Sequence, residues 1–189
     1  MNSEELFYDH YKDSFEQQKG YLKERNRLTL YLILLVAIIF LLAGNRCLLI
    51  EASSTLQEQK LGRSLVDFSV IASALYFVFL WITMRYYQIN LTIEKTYDYI
   101  SDCEAKLSKG GDYKIKREGS DYEKKYPWLK WVVHRIYVYV FPILIIVASV
   151  LSIVKECGNQ AGNRVLDVVF LSFVLILSIL YLLNRIFDK

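Results

Sequence analysis

The chain is poor in the residues that soluble catalytic domains use for turns and chemistry. Its 189 residues include two prolines, three cysteines, two histidines and eight glycines. Three cysteines with no Cys-x-x-Cys spacing give neither a disulfide framework nor a zinc ribbon. His10 and His134 alone do not build a usual metal site. His-Glu-x-x-His, a phosphate-cradling Gly-Lys-Ser/Thr loop and a Gly-x-Ser-x-Gly elbow are all missing. No catalytic residue, metal site or cofactor is therefore expected. A net charge of +3 is too small for a nucleic-acid footprint, so direct nucleic-acid binding is not expected either.

What the chain has in quantity is apolar surface. It is 54% hydrophobic and 15% aromatic, and its mean hydropathy of +0.23 comes from a few long runs rather than scattered residues. A helix crossing a hydrocarbon core of about 30 Å needs about 20 mostly apolar residues. Leu65–Met84, Val132–Val154 beyond its first turn, and Val165–Asn184 meet that need. Leu28–Ala43 is uncharged but short, and lengthens through Ile50 if Arg46 snorkels to the head groups. These runs are apolar all round, whereas buried helices of a soluble bundle keep a polar stripe. The expected fold is all-α: a polytopic membrane protein with four transmembrane helices arranged as two hairpins, and helical extensions in the cytosol. Residues 1–27 are polar, so the first run begins too late for a signal peptide and is expected to remain as an anchor.

Basic residues orient the spans. Of the 23 Lys and Arg, 18 fall in segments 1–27, 85–135 and the tail beyond the fourth span, and only five in the other two connections. Both termini and the central segment are therefore expected to be cytoplasmic. Tyr86, Tyr87, Trp128, Trp131 and Tyr137 sit where an inner aromatic belt belongs. The sequon Asn90-Leu91-Thr92 falls on the cytosolic side and should carry no glycan. The expected organisation is a cytosolic helix over 1–27, a first hairpin over 28–85, a cytosolic region over 86–131, a second hairpin over 132–185 and a short tail. Similar openings to the second and fourth spans, Gly62–Asp67 and Gly162–Asp167, are consistent with either an internal duplication or coincidence.

Two amphipathic stretches flank the spans. Phe7, Tyr11, Phe15 and Leu22 share one face of a helix that runs on into the first span without a proline. Tyr86, Ile93, Ile100 and Leu107 are seven apart, with Ile89, Thr96 and Cys103 filling the alternate seam positions of a coiled-coil-like stripe. Either the two stripes pack on each other, or Phe7, Tyr11, Phe15, Ile93, Ile100 and Leu107 bind another subunit or a soluble protein. Residues 108–119 hold three glycines and read as a loop. A short amphipathic helix over Tyr122–Tyr126 and a bend at Pro127 follow, and the basic residues nearby suit anionic membrane lipid.

Polar features inside the spans are few. Asp67 and Asp167 each lie about a turn from the outer surface, where they either pair with Arg63 and Arg164, face outer water, or form an acidic ring at the mouth of an oligomeric pore. Ser69 and Ser73 in the second span, with Ala148 and Ser152 in the third, are small residues at helix-packing spacing. They serve packing within one bundle or contacts in a homo-oligomer. Pro142 should kink or widen the third span. Cys47 and Cys157, both outside, could join the hairpins by a disulfide if that space is oxidising, or remain free thiols.

The charged N-terminal helix, the membrane hairpin, and Tyr97–Leu107 followed by Tyr122-Glu123-Lys124-Lys125-Tyr126-Pro127 before a third span form a distinctive layout. It resembles the small membrane subunits of bacterial antiphage defence systems, both the four-span Kiwa-type subunit and the hairpin effectors associated with second-messenger synthases. The resemblance lies in layout and carries no functional residue across. It implies a non-enzymatic, oligomeric subunit of the bacterial inner membrane that senses envelope disturbance, or damages the membrane, together with a cytosolic partner. A pore-forming or channel subunit is the alternative, and a transporter would need a buried polar site within the spans.

If lipid surrounds these runs, the chain stays in the membrane fraction through alkaline carbonate washing and is released only by detergent. Recovery as a dispersed monomer in plain buffer would reject the membrane reading.

Overall fold

Four helices account for most of the described residues. The computed structural model describes residues 3–44, 68–110, 128, 132, 135–158 and 164–187, and no strand occurs among them. Helix α1 spans Ser3–Gly44 and α2 spans Phe68–Gly110. A π-helical turn, Ile136–Val140, leads into α3, Phe141–Cys157, and α4 spans Arg164–Phe187.

Helices α1 and α2 have 42 and 43 residues, or on the order of 63 Å each, about twice the thickness of a hydrocarbon core. Neither contains a proline, so nothing stops the hydrogen-bond ladder where the apolar run gives way to the polar one. The loop expected over residues 108–119 does not start at Ser108, since α2 continues through Gly110; residues 111–119 lie outside the described residues. The third span behaves differently. Pro142 has no N–H to give to the carbonyl of Val138, and the turn before it is widened into the π-helix of residues 136–140.

The chain divides into two compact units, residues 1–29 with 86–135 and residues 30–85 with 136–189. The first, polar unit pairs the N-terminal part of α1 with the C-terminal part of α2. Contacts of Tyr11 with Glu104 and of Gln18 with Ile93 show that the two helices run antiparallel.

The second, apolar unit holds the apolar half of α1, the apolar half of α2, the π-turn, α3 and α4. In α1, Leu32, Leu35, Val36 and Ile39 form a buried stripe at helical spacing. Helix α4 starts at the end of the unit where α3 finishes. Contacts of Ser73 with Asp167 and of Phe77 with Phe170 set α2 and α4 parallel, since residues rise together along both.

The apolar unit is apolar on the outside and partly polar within. Leu34, Leu41, Phe77, Trp81, Val154, Phe173, Ile176 and Leu180 are exposed, while Ser73, Thr83, Ser149, Ser152, Glu156, Asp167 and Ser178 are buried. Water would not tolerate an apolar surface of that extent. All four helices are long and apolar enough to cross a membrane. Length, composition and surface polarity together define a helical membrane protein.

Gly20 lies inside α1, and nothing stands within 4 Å of a side chain added there. Gly20→Ala should raise stability by about 0.5–1 kcal/mol, because alanine loses less backbone freedom on forming a helix. Thermal unfolding in detergent would register this as a higher midpoint.

Candidate functional site

Two sets of side chains stand out from the packing. One is the seam of the polar unit. Tyr11, Phe15, Ile100 and Cys103 form its buried core, with Phe7 and Leu107 packed against it. Ile93 is also buried. The two stripes read from the sequence thus meet each other, and Tyr11, Phe15, Ile93 and Ile100 are closed to any other protein while the helices stay paired. Phe7 and Leu107 remain partly open.

The seam carries polar bonds that fix its register. The Tyr11 hydroxyl donates to Glu104 Oε1 at 3.0 Å, deep in the seam. Gln18 Nε2 donates to the carbonyl of Ile93 at 3.3 Å. A one-residue slip of either helix would break both bonds and leave buried polar groups unmatched, which costs more than each bond contributes. Lys19 lies over the Phe15 ring at 4.6 Å. His10 and Tyr99 meet edge to face at 5.9 Å on one rim. The exposed Tyr99 phenol is held above its ordinary pKa of 10.0, chiefly by its hydrogen bond with Cys103, so it stays neutral at physiological pH. Asn90 is buried in this unit, which leaves no room for a glycan on the sequon.

The second set is a polar layer inside the apolar unit, where α3 ends and α4 begins. Ser73 of α2 donates to Asp167 Oδ1 of α4 at 2.5 Å. Tyr76, one turn further along α2, donates to Glu156 Oε1 of α3 at 3.4 Å, a long and weak bond. Asp167 is 2% exposed and Glu156 3%. Within one chain Asp167 is thus buried rather than open to outer water, and its carboxylate accepts from the Ser73 hydroxyl. Asp67 lies outside the described residues.

The small residues also face inward. Ala148 is fully buried, Ser73 and Ser152 are buried, and all three pack within one chain. Ser69 belongs to α2, but its side chain lies outside the described residues, as do Cys47, His134, the Tyr122–Tyr126 segment and the opening at Gly62. Cys157 is an exposed free thiol at the end of α3. Among the described residues no group of three or more His, Cys, Asp or Glu side chains is placed to hold a metal.

Glu156 was not singled out from the sequence. Hydropathy ends the third run at Val154, yet the buried stripe of α3 continues through Phe141, Ile145, Ala148, Ser149, Ser152 and Glu156. Extending that helical spacing by one turn would have found it. Comparison with protein-family models, curated proteins and solved structures finds no match.

The Tyr11–Glu104 pair makes a separable prediction. Tyr11→Phe removes one donor from a buried carboxylate and should cost about 1–3 kcal/mol. Tyr11→Phe and Glu104→Leu together should cost less than the sum of the two single changes, since both remove the same bond. Hydrogen exchange across residues 3–29 and 86–107 would report both.

Proposed function

We propose that this protein is a non-enzymatic, oligomeric membrane subunit, a sensor or anchor that presents its polar unit to a soluble protein in the cytosol. The observation that carries this reading is the continuity of α1 and α2, each one unbroken helix shared between the two units. A pore alone has no need of two helices of about 63 Å, nor of a polar unit with its own buried seam. Because the seam residues are spent on each other, the partner reads the outer faces of the closed pair, where Glu5, Asp9, Asp13, Tyr8 and Tyr99 are exposed. The distribution of basic residues, 18 against five, supports termini on the cytoplasmic side. The resemblance in layout to antiphage membrane subunits supports the bacterial inner membrane and a defence role.

A pore-forming subunit is the second reading. Support for it comes from the row of hydroxyls, Ser73, Thr83, Ser149, Ser152 and Ser178, buried inside the apolar unit. Conductance of the purified chain in planar bilayers separates the two.

Purification in mild detergent from cells expressing the chain at native level tests the preferred reading. A stable soluble protein should co-purify with an oligomer of this chain. Charge reversal at Asp9 and Asp13 together should release the soluble protein while the oligomer stays intact. A lone protomer that retains no soluble protein would count decisively against it.

A further inference from the structure

The turns of α1 that precede its apolar run present an uncovered cationic side. Lys19, Lys23 and Arg27 follow one another at four-residue spacing, so they share one side of the helix, and all three are exposed. Lys19 turns back over the Phe15 ring. Among the described residues, the side chains of Lys23 and Arg27 have no ion-pair, hydrogen-bond or ring partner. Nothing stands within 4 Å of a side chain added at Gly20, one turn before Lys23, so this side of α1 is open.

Depth along the helix decides what meets that side. From Leu28 to Gly44 α1 has no charged residue. That stretch is on the order of 25 Å long, against about 30 Å for a hydrocarbon core. A run shorter than the core draws its flanking residues into the interface. At 1.5 Å per residue, Arg27 lies about 1.5 Å and Lys23 about 7.5 Å beyond Leu28, at the depth of a head-group layer about 5–7.5 Å thick. Lys19, about 13.5 Å beyond, lies past that layer. On the apolar side of the boundary Leu30 and Leu34 of the same helix are exposed, as residues facing lipid tails are.

We propose that Lys23 and Arg27 bind the phosphate of an anionic phospholipid, of the phosphatidylglycerol type, in the leaflet that α1 leaves on its N-terminal side. Residues four apart on a helix stand about 5–6 Å apart at Cβ, close enough for both side chains to reach one phosphodiester. The guanidinium offers it a fork of donors and the ammonium a point charge. A zwitterionic lipid carries its own ammonium beside the phosphate and gains less from the pair. An acidic soluble protein would have to reach Arg27 at the edge of the hydrocarbon, where head groups already stand. The lipid's tails then run along Leu30 and Leu34, so one molecule satisfies both the charged and the apolar stretch of this side. Binding there fixes the depth of α1 and asks nothing of a soluble partner, so it is independent of the anchoring role.

The test uses the full chain in a non-ionic detergent, stripped of lipid. Phosphatidylglycerol added in steps should raise the thermal midpoint saturably. Phosphatidylcholine should not, nor should glycerol 3-phosphate, which is the head group's phosphate without tails. Lys23→Gln and Arg27→Gln should each weaken the apparent affinity about fivefold, and together more than tenfold, whereas Lys19→Gln should change it by less than about twofold. Phosphatidylglycerol retained per chain after washing, measured as phosphorus, should fall in the double variant and not in Lys19→Gln. The proposal is overturned by an equal rise with phosphatidylcholine, by a rise with glycerol 3-phosphate alone, or by a double variant that binds as the wild type does. A loss in Lys19→Gln as large as in the double variant also overturns it, since that would reflect net charge rather than this site. If the double variant does not fold, two single variants that bind as the wild type does overturn it. A double variant that keeps its phosphatidylglycerol but loses a co-purifying soluble protein assigns this side to protein and overturns it too.

Discussion

A backbone amide in hydrocarbon has no water to bond, and every unpaired N–H or C=O there costs several kcal/mol. That constraint shapes this chain more than any side chain does. It makes each apolar run a helix, since only a helix satisfies its own backbone, and it rewards a helix that continues past the membrane over one that must be ended and capped. Helices α1 and α2 follow from it, with no break between their apolar and polar stretches. Among the described residues, the interruption of the ladder ahead of Pro142 is absorbed locally by a π-helical turn.

The same constraint reverses the usual division of polarity. In the apolar unit the outer surface holds the large apolar side chains, and the serines and acids turn inward. Packing there gains little from hiding apolar surface, because lipid tails are as apolar as leucine. Close approach of small residues such as Ala148 and Ser149, and hydrogen bonds between helices such as Ser73 to Asp167, carry more of the specificity. The polar unit obeys the opposite rule. Its seam buries Tyr11, Phe15 and Ile100 away from water, and adds the Tyr11–Glu104 bond to set the register. One pair of helices thus belongs to two different solvents, with a different source of cohesion in each.

Much of the helical architecture was legible because it depends on runs and spacing. Four apolar stretches, an all-helical chain, and seams at Phe7–Tyr11–Phe15 and Ile93–Ile100–Leu107 follow from counting residues. What those seams touch did not follow, because a stripe carries no address: an apolar face fits any complementary face of the right length. The acids were harder still. Asp167 was visible as a charge in an apolar run, but that it would accept a bond from another helix could not be read there, because the donor hydroxyl lies 94 residues away. Glu156 was hidden because hydropathy averages over a window, and a charged residue two places past the run simply marks its end.

The two buried carboxylates also bear on how such a membrane unit would respond to anything. A helix bundle held only by apolar contacts in lipid has many packings of similar energy, and no one contact decides between them. Carboxylates at Glu156 and Asp167, engaged by hydroxyls of a third helix, give three helices a common point at one end of the unit. Polar groups in low dielectric are worth most when matched and cost most when parted, so a small displacement there carries a disproportionate energy. Helix α2 is one of those three helices, and it also supplies one side of the polar unit's seam.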